Sequence, residues 1–100
     1  PTVTVTQLLR RAAVETGRVA KDPPPIILFK GFGDSSLQFE VHFWIHMRTM
    51  MDQLQIESAV RFRIDQLFRE EGIVIAFPQR DVHLDTSSPL TVEIIESSTD

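Results

Sequence analysis

The chain has 100 residues, of which 42% are hydrophobic and 24% charged, and its net charge is −4. This is the length and composition of one globular domain, and the negative charge excludes the basic surface typical of a nucleic-acid-binding domain. Without cysteine the chain has no disulfides and no thiolate metal sites, and no uncharged run approaches the ~20 residues of a membrane span.

The first predicted element is a helix, because apolar residues recur at i, i+3 and i+4. They are Val5, Leu8, Leu9, Ala12 and Ala13. Gly17 lies where a helix end favours a left-handed residue. The following segment, Lys21–Pro25, contains three prolines and is predicted to be a stiff surface connector, since proline donates no backbone hydrogen bond.

Two strands are predicted next. Ile26–Phe32 is short, β-branched and aromatic. In the stretch from Leu37 to His46, apolar and polar residues then alternate, with Trp44 as the one large aromatic among the polar positions. This period of two predicts a strand with one buried face; that face comprises Leu37, Phe39, Val41, Phe43 and Ile45.

A second helix is predicted from about Thr49 to Glu71, ended by Gly72. Its buried stripe consists of Ile56, Val60, Ile64, Leu67 and Phe68. The methionines at the preceding corner are expected to fill gaps in the core; they are Met47, Met50 and Met51.

The rest of the chain predicts short strands. Residues 73–75 form a strand or a strand entry, 77–80 a kinked connector, Asp81–Leu84 a strand, and Leu90–Glu96 a further, alternating strand. The order is α-β-β-α-β with a tail strand. One more strand before the first helix would give the β-α-β-β-α-β order of an α+β, ferredoxin-like split βαβ sandwich.

The glycine-rich segment Gly31–Ser36 could be either a phosphate-binding loop or a hairpin turn. A phosphate-binding loop places its glycines between a strand and a helix N-terminus, whereas this segment is followed by an alternating strand. The sequence therefore favours a hairpin.

The residues do not predict a catalytic or metal site. On a strand, His42 and His46 share a face but lie ~13 Å apart, too far for one zinc ion whose nitrogen ligands lie at ~2 Å. No base is placed to activate Ser35 or Ser36 beside Asp34. We therefore assign no catalytic, cofactor-binding or metal-binding residue and no cofactor. Trp44 points away from the predicted core face, which indicates a second covered face or a contact with a partner.

Four segments together resemble a known family. They are Lys21–Pro25, Gly31–Leu37, the aromatic-rich strand through Trp44, and Phe77–Leu84. In this order and spacing they are similar to the C-terminal cytoplasmic domain of small-conductance mechanosensitive channels of the MscS type. The resemblance covers about Thr2 to Leu84, and we assign residues 1–84 to this domain and 85–100 to a tail with a possible extra strand at 90–96.

The resemblance implies a ferredoxin-like domain in the lower part of a cytoplasmic cage beneath a pore. Family members are homo-oligomeric rings, heptamers in the well-known cases, in the cell (inner) membrane; they open on membrane tension and release ions and small osmolytes during hypo-osmotic shock. The domain would then be non-enzymatic, with copies of itself as partners and no nucleic acid. We assign a candidate subunit-contact surface to His42, Trp44, His46, Phe77 and Arg80.

Two other classes of function remain open at this point. The alternative is a free-standing ferredoxin-like regulatory domain that binds a small ligand or a protein partner. A small hydrolase or metal enzyme is a third class, which no group of residues supports. An upstream reading frame with apolar spans would favour the channel.

The last expectation concerns the C-terminal tail and its place in the sheet. The family's domain has a strand before its first helix, which this sequence lacks, so we expect a C-terminal fragment of a longer channel. The lost strand is central in the ferredoxin-like sheet, and its unpaired neighbours would need a new partner. We predict that Leu90–Glu96 fills this position, antiparallel to the fourth strand, with Leu90, Val92 and Ile94 facing the helices. The competing prediction is a tail that projects away, as a barrel-forming strand does in some members.

Overall fold

The computed structural model of the chain describes residues 2–33, 36–76 and 90–95. Its elements follow in the order α1 (Thr2–Glu15), β1 (Ile26–Phe32), β2 (Ser36–His42), α2 (Met50–Glu70), β3 (Val74–Ala76) and β4 (Leu90–Ile95). The described strands form a four-stranded antiparallel sheet in the order β1-β2-β4-β3. Both helices pack on one face of this sheet, so the predicted α+β, ferredoxin-like class is confirmed.

The core lies between the helices and the sheet. The predicted stripes of α1 and α2 are buried as expected, and they meet alternate residues of β2 and β4. Phe39 and Phe68 are the two largest fully buried side chains. The periods of 3.6 and two in the sequence therefore correspond to the two sides of a single described core.

The N-terminus of α2 is closed by a capping box. Thr49 Oγ1 accepts a hydrogen bond from the Asp52 N–H at 3.2 Å, and Asp52 Oδ2 accepts from the Thr49 N–H at 3.2 Å. Such a cap contributes about 1 kcal/mol. At the other end, Gly72 has φ of +72° directly after the C-cap residue Glu71, which confirms the predicted helix end.

The end of α1 differs from the prediction. The helix ends at Glu15, and Gly17 does not have positive φ. The Thr16 hydroxyl instead donates to the Ala12 carbonyl oxygen at 2.8 Å, inside the buried part of the molecule. Because this threonine satisfies a carbonyl of the last turn, a left-handed glycine is not needed there.

The hairpin prediction is confirmed. β1 and β2 pair antiparallel with a bulge between Phe29 and Gly31, where Gly31 has φ of +142°. The Gly33 N–H donates to the Ser36 carbonyl oxygen at 2.8 Å. A Cβ at Gly33 would lie 2.6 Å from Ser36 Oγ, so this tight approach also favours glycine.

The long alternating strand is shorter than its sequence pattern. β2 ends at His42, which pairs with Ile26 at the start of β1, while Val41 pairs with Leu90 at the start of β4. Within the described residues both neighbouring strands begin there, so the pairing of β2 with β1 and β4 ends at His42, and Ile45 bridges to Val19 instead. Phe43 and Ile45 continue the alternation and pack against the core while only partly buried.

The expectation for the methionines is wrong. Met47, Met50 and Met51 are exposed, at 39%, 41% and 56% of their surface. Val19 covers the core edge near this corner instead, bridging to Ile45.

The tail strand occupies the central position of the sheet. β4 pairs antiparallel with β2 on one side and β3 on the other, and Leu90, Val92 and Ile94 are buried among the core residues. The prediction that the tail fills this position is confirmed for 90–95. Its neighbour is Val74–Ala76, whereas the predicted strand Asp81–Leu84 lies outside the described residues. The division of the chain at residue 84 stays a prediction.

An ion-pair network joins the two helices on the surface. Glu15 of α1 accepts hydrogen bonds from Arg11 Nε at 2.7 Å and from Arg63 Nε of α2 at 2.8 Å. Hydrogen bonds from Arg11 and then Arg63 lower the pKa of Glu15 below its usual value. The folded state therefore favours the ionised carboxylate.

We expect Glu15→Gln to lower the melting temperature slightly near pH 7 and to make no difference in strong acid. A depressed pKa in the folded state stabilises the fold above the unfolded pKa, and the contribution is lost as pH falls through the folded pKa. Thermal unfolding of both proteins across a pH series measures this. Asp65→Asn, which removes only the intrahelical pair with Arg69, is the control. A deficit of Glu15→Gln that persists in acid would contradict the assignment.

Candidate functional site

The face of the sheet opposite the helices carries His42 of the sequence-predicted contact surface. The register places Ile26 of β1 opposite His42 of β2, and Leu28 opposite Glu40. Ile26 and Leu28 are exposed, at 47% and 41%. An edge strand with apolar side chains on its open face is a common feature of surfaces that become covered in an assembly.

Glu40 is the centre of a polar cluster on this open face. Its Oε1 lies 3.0 Å from His42 Nε2, and its Oε2 lies 4.0 Å from Lys30 Nζ. On its other side it is paired in register with Thr91 of β4, whose buried hydroxyl has no hydrogen-bond partner in the described structure. The cluster places the ammonium group of Lys30 and the imidazole of His42 beside one carboxylate on the open face.

Trp44 points away from the core, as the alternation predicted. It is 42% exposed, while its neighbours Phe43 and Ile45 pack against the core. Its carbonyl oxygen accepts a hydrogen bond from the Ala20 N–H at 2.7 Å. This hydrogen bond joins the backbone at Trp44 to the segment after α1, and the indole lies partly exposed on the surface.

The two histidines lie in different surroundings. His42 contacts Glu40 on the open face of the sheet, whereas His46 lines a cleft together with Arg18 and Arg48. Among the described residues there is no group of three or more histidine, aspartate or glutamate side chains that could hold a metal ion. The structure thus does not bring His42 and His46 together into one site.

The remaining two residues of the candidate contact surface, Phe77 and Arg80, lie outside the described residues. Asp34 and Ser35 of the glycine-rich turn also lie outside them.

Some exposed apolar side chains were missed by the sequence reasoning. Phe32 is 76% exposed at the end of β1, beside Phe29 with ring centroids 5.2 Å apart, and Phe62 is 75% exposed on α2. The signal for β1 was present: a run of apolar residues without alternation is typical of a strand covered on both faces. In this structure Ile27 packs against the core from one face of β1, whereas Ile26 and Leu28 on the other face are exposed. The second cover is therefore absent from the described part of the chain.

None of the described helices combines the length and the apolar character that crossing a membrane requires.

The known proteins that this chain resembles all point to one family. A family model described as "Mechanosensitive ion channel MscS, C-terminal" matches residues 2–75. An uncharacterized MscS family protein of Haemophilus influenzae is 38% identical over 80 residues, covering 80% of this chain and 7% of that protein. The mechanosensitive channel MscK of Escherichia coli is 39% identical over 80 residues, with the same coverage of 80% and 7%. An uncharacterized MscS family protein of Synechocystis is 38% identical over 71 residues, covering 70% of this chain and 23% of that protein.

Proposed function

The chain belongs to the MscS family of mechanosensitive channels, to whose C-terminal region it corresponds, and from this premise we propose that it is a structural domain of a channel's cytoplasmic cage. The parent channel would open on membrane tension and release ions and small osmolytes during hypo-osmotic shock. The observation that carries the proposal is the family match over 2–75, which contains both helices and the β1–β2 hairpin. The role is non-enzymatic and rests on packing and surface contacts.

The chain spans between 7% and 23% of the length of these curated relatives. The channel activity is therefore proposed for a longer protein that includes this domain. We place that protein in the cell (inner) membrane with the domain on the cytoplasmic side, and its partners are further copies of itself in a ring. The net charge of −4 speaks against a nucleic-acid partner.

The function is tested with the full-length gene in bacteria that lack mechanosensitive channels. We expect the gene to protect the cells against a sudden drop in osmolarity and to give tension-activated currents in membrane patches. A free-standing regulatory domain would give neither protection nor currents. A reading frame that encodes no apolar spans would also contradict the proposal.

We further propose that copies of the domain contact one another through the surface that carries His42, Trp44 and His46, with Phe77 and Arg80 as its remaining members. Three features support this. The indole of Trp44 is exposed, and the apolar side chains of Ile26 and Leu28 lie on the same face of the sheet as His42. The outer edge of β1 pairs with no other described strand. Tryptophan is enriched at the energetic centres of interfaces.

Trp44 is the chain's only tryptophan, so its fluorescence reports on this surface alone. We expect its emission to shift to shorter wavelength and its quenching by acrylamide to fall as the chain self-associates at rising concentration. Sedimentation equilibrium gives the mass in the same samples. Trp44→Ala should weaken the association and leave the fold intact, because the side chain is 42% exposed. A rise in mass with unchanged quenching of Trp44 would place the contact elsewhere.

A further inference from the structure

A cleft lies where the segment after α1 meets the segment before α2. Val19 bridges antiparallel to Ile45, and the Ala20 N–H donates to the Trp44 carbonyl oxygen at 2.7 Å. The cleft has a volume of about 380 Å³ and opens to solvent. Its lining consists of Gly17, Arg18, Val19, Ala20, His46 and Arg48.

The lining is basic in a chain whose net charge is −4. Among the described residues, the six that line the cleft include two arginines and one histidine and no carboxylate. Because the bridge pairs Val19 with Ile45, antiparallel register puts Arg18 opposite His46. Two segments that are distant in the sequence therefore line one concave site with donor-bearing side chains, Arg18 from the first and His46 and Arg48 from the second.

Asp52 orients one of the two arginines. Its Oδ1 lies 3.2 Å from Arg18 Nη2, and its Oδ2 accepts the Arg48 N–H at 2.9 Å. These contacts hold the Asp52 carboxylate in the α2 cap and lower the pKa of Asp52, through the backbone N–H of Arg48 first and the Arg18 side chain second. A guanidinium has five N–H donors, so Arg18 keeps donors for a ligand. The Arg48 side chain has no ion pair within the described residues.

We propose that this cleft binds the phosphate group of a small phosphate monoester free in solution. Guanidinium groups bind phosphate oxygens through paired, charge-assisted hydrogen bonds, and the imidazole of His46 adds a ring N–H. Arg18 is held in position by Asp52, and Arg48 lines the same cleft without an ion pair among the described residues. In the glycine-rich turn, in contrast, the Gly33 N–H already donates to the Ser36 carbonyl oxygen, so this donor is not available to a phosphate.

The test is a titration of the full chain with inorganic phosphate, followed by amide NMR at constant ionic strength in chloride. It is made at a concentration where sedimentation shows a monomer, since His46 also belongs to the proposed contact surface. We expect saturable shifts centred on residues 18–20 and 46–48. Arg48→Gln should weaken binding about tenfold, the effect of one charge-assisted hydrogen bond, and Arg48→Lys should weaken it less.

Arg61→Gln is the matched control, because Arg61 lies on α2 outside this cleft and pairs with Glu57. It should leave the phosphate affinity unchanged. Shifts that do not saturate, or equal weakening by Arg61→Gln and Arg48→Gln, would overturn the proposal. Vesicles with phosphatidic acid present the same group on a lipid surface. Co-sedimentation with these vesicles, without any shift by free phosphate, would overturn it too.

Discussion

Phe39→Ala is expected to lower the free energy of unfolding by about 3–5 kcal/mol, the usual cost of removing a fully buried phenylalanine. Phe39 has no exposed surface. The ring centroids of Phe39 and Phe29 lie 5.0 Å apart, and Phe39 is paired in register with Val92 of β4. The substitution leaves a cavity at the centre of the sheet, where α1, α2 and two strands meet, and the rigid core cannot close it. Urea denaturation measures the change.

Phe62→Ala is the matched control, because it makes the same chemical change on a side chain that is 75% exposed. It should change stability by under about 0.5 kcal/mol, and the better helix propensity of alanine acts in the stabilising direction. Equal losses in the two variants would show that Phe39 does not lie in the core.

Elements governed by neighbours in the sequence could be predicted from the sequence. The bounds of β1, the hairpin and the extent of α2 follow from local patterns: β-branched residues, glycines in the turn, and a threonine cap before an apolar stripe. The buried residues of α2 were all predicted because a stripe with period 3.6 leaves one arrangement against a sheet.

Features governed by distant partners could not be predicted. β2 ends at His42, beside Ile26 at the start of β1 and next to Val41, which is paired with Leu90, the first described residue of β4. Nothing in the alternation up to Ile45 records where those partners lie. The methionines at the corner looked like core residues, yet Val19 takes the place beside Ile45.

The candidate site shows the same division. The outward direction of Trp44 follows from a period of two and was predicted. The cleft that contains His46 depends on a bridge between Val19 and Ile45, and Arg18 and Arg48 carry no motif that would join them. His42 and His46 were expected on one strand face, but the end of β2 lies between them.

The second large effect on stability is expected from the loss of strand β4. It lies outside the residues matched by the family model, 2–75, yet it separates β2 from β3 in the sheet. Its three core side chains, Leu90, Val92 and Ile94, are at most 5% exposed. Full burial of such side chains contributes about 1.5–3 kcal/mol each. Their sum, about 5–9 kcal/mol, is comparable to the ~5–15 kcal/mol by which a whole domain is stable.

Removal of residues 85–100 is therefore expected to unfold or aggregate the domain. Without β4, the backbone groups of β2 and β3 lose their partners and the inner face of the sheet opens to water. Circular dichroism and size-exclusion chromatography of the shortened chain measure this. An isosteric pair of substitutions in the intact chain separates loss of the strand from loss of solubility. Val92→Thr places a hydroxyl in the core and should cost about 1–3 kcal/mol, whereas Thr91→Val, on the open face, removes an unpartnered hydroxyl and should be neutral or stabilising. If both substitutions are neutral and the shortened chain keeps its stability, the tail does not hold the centre of the sheet.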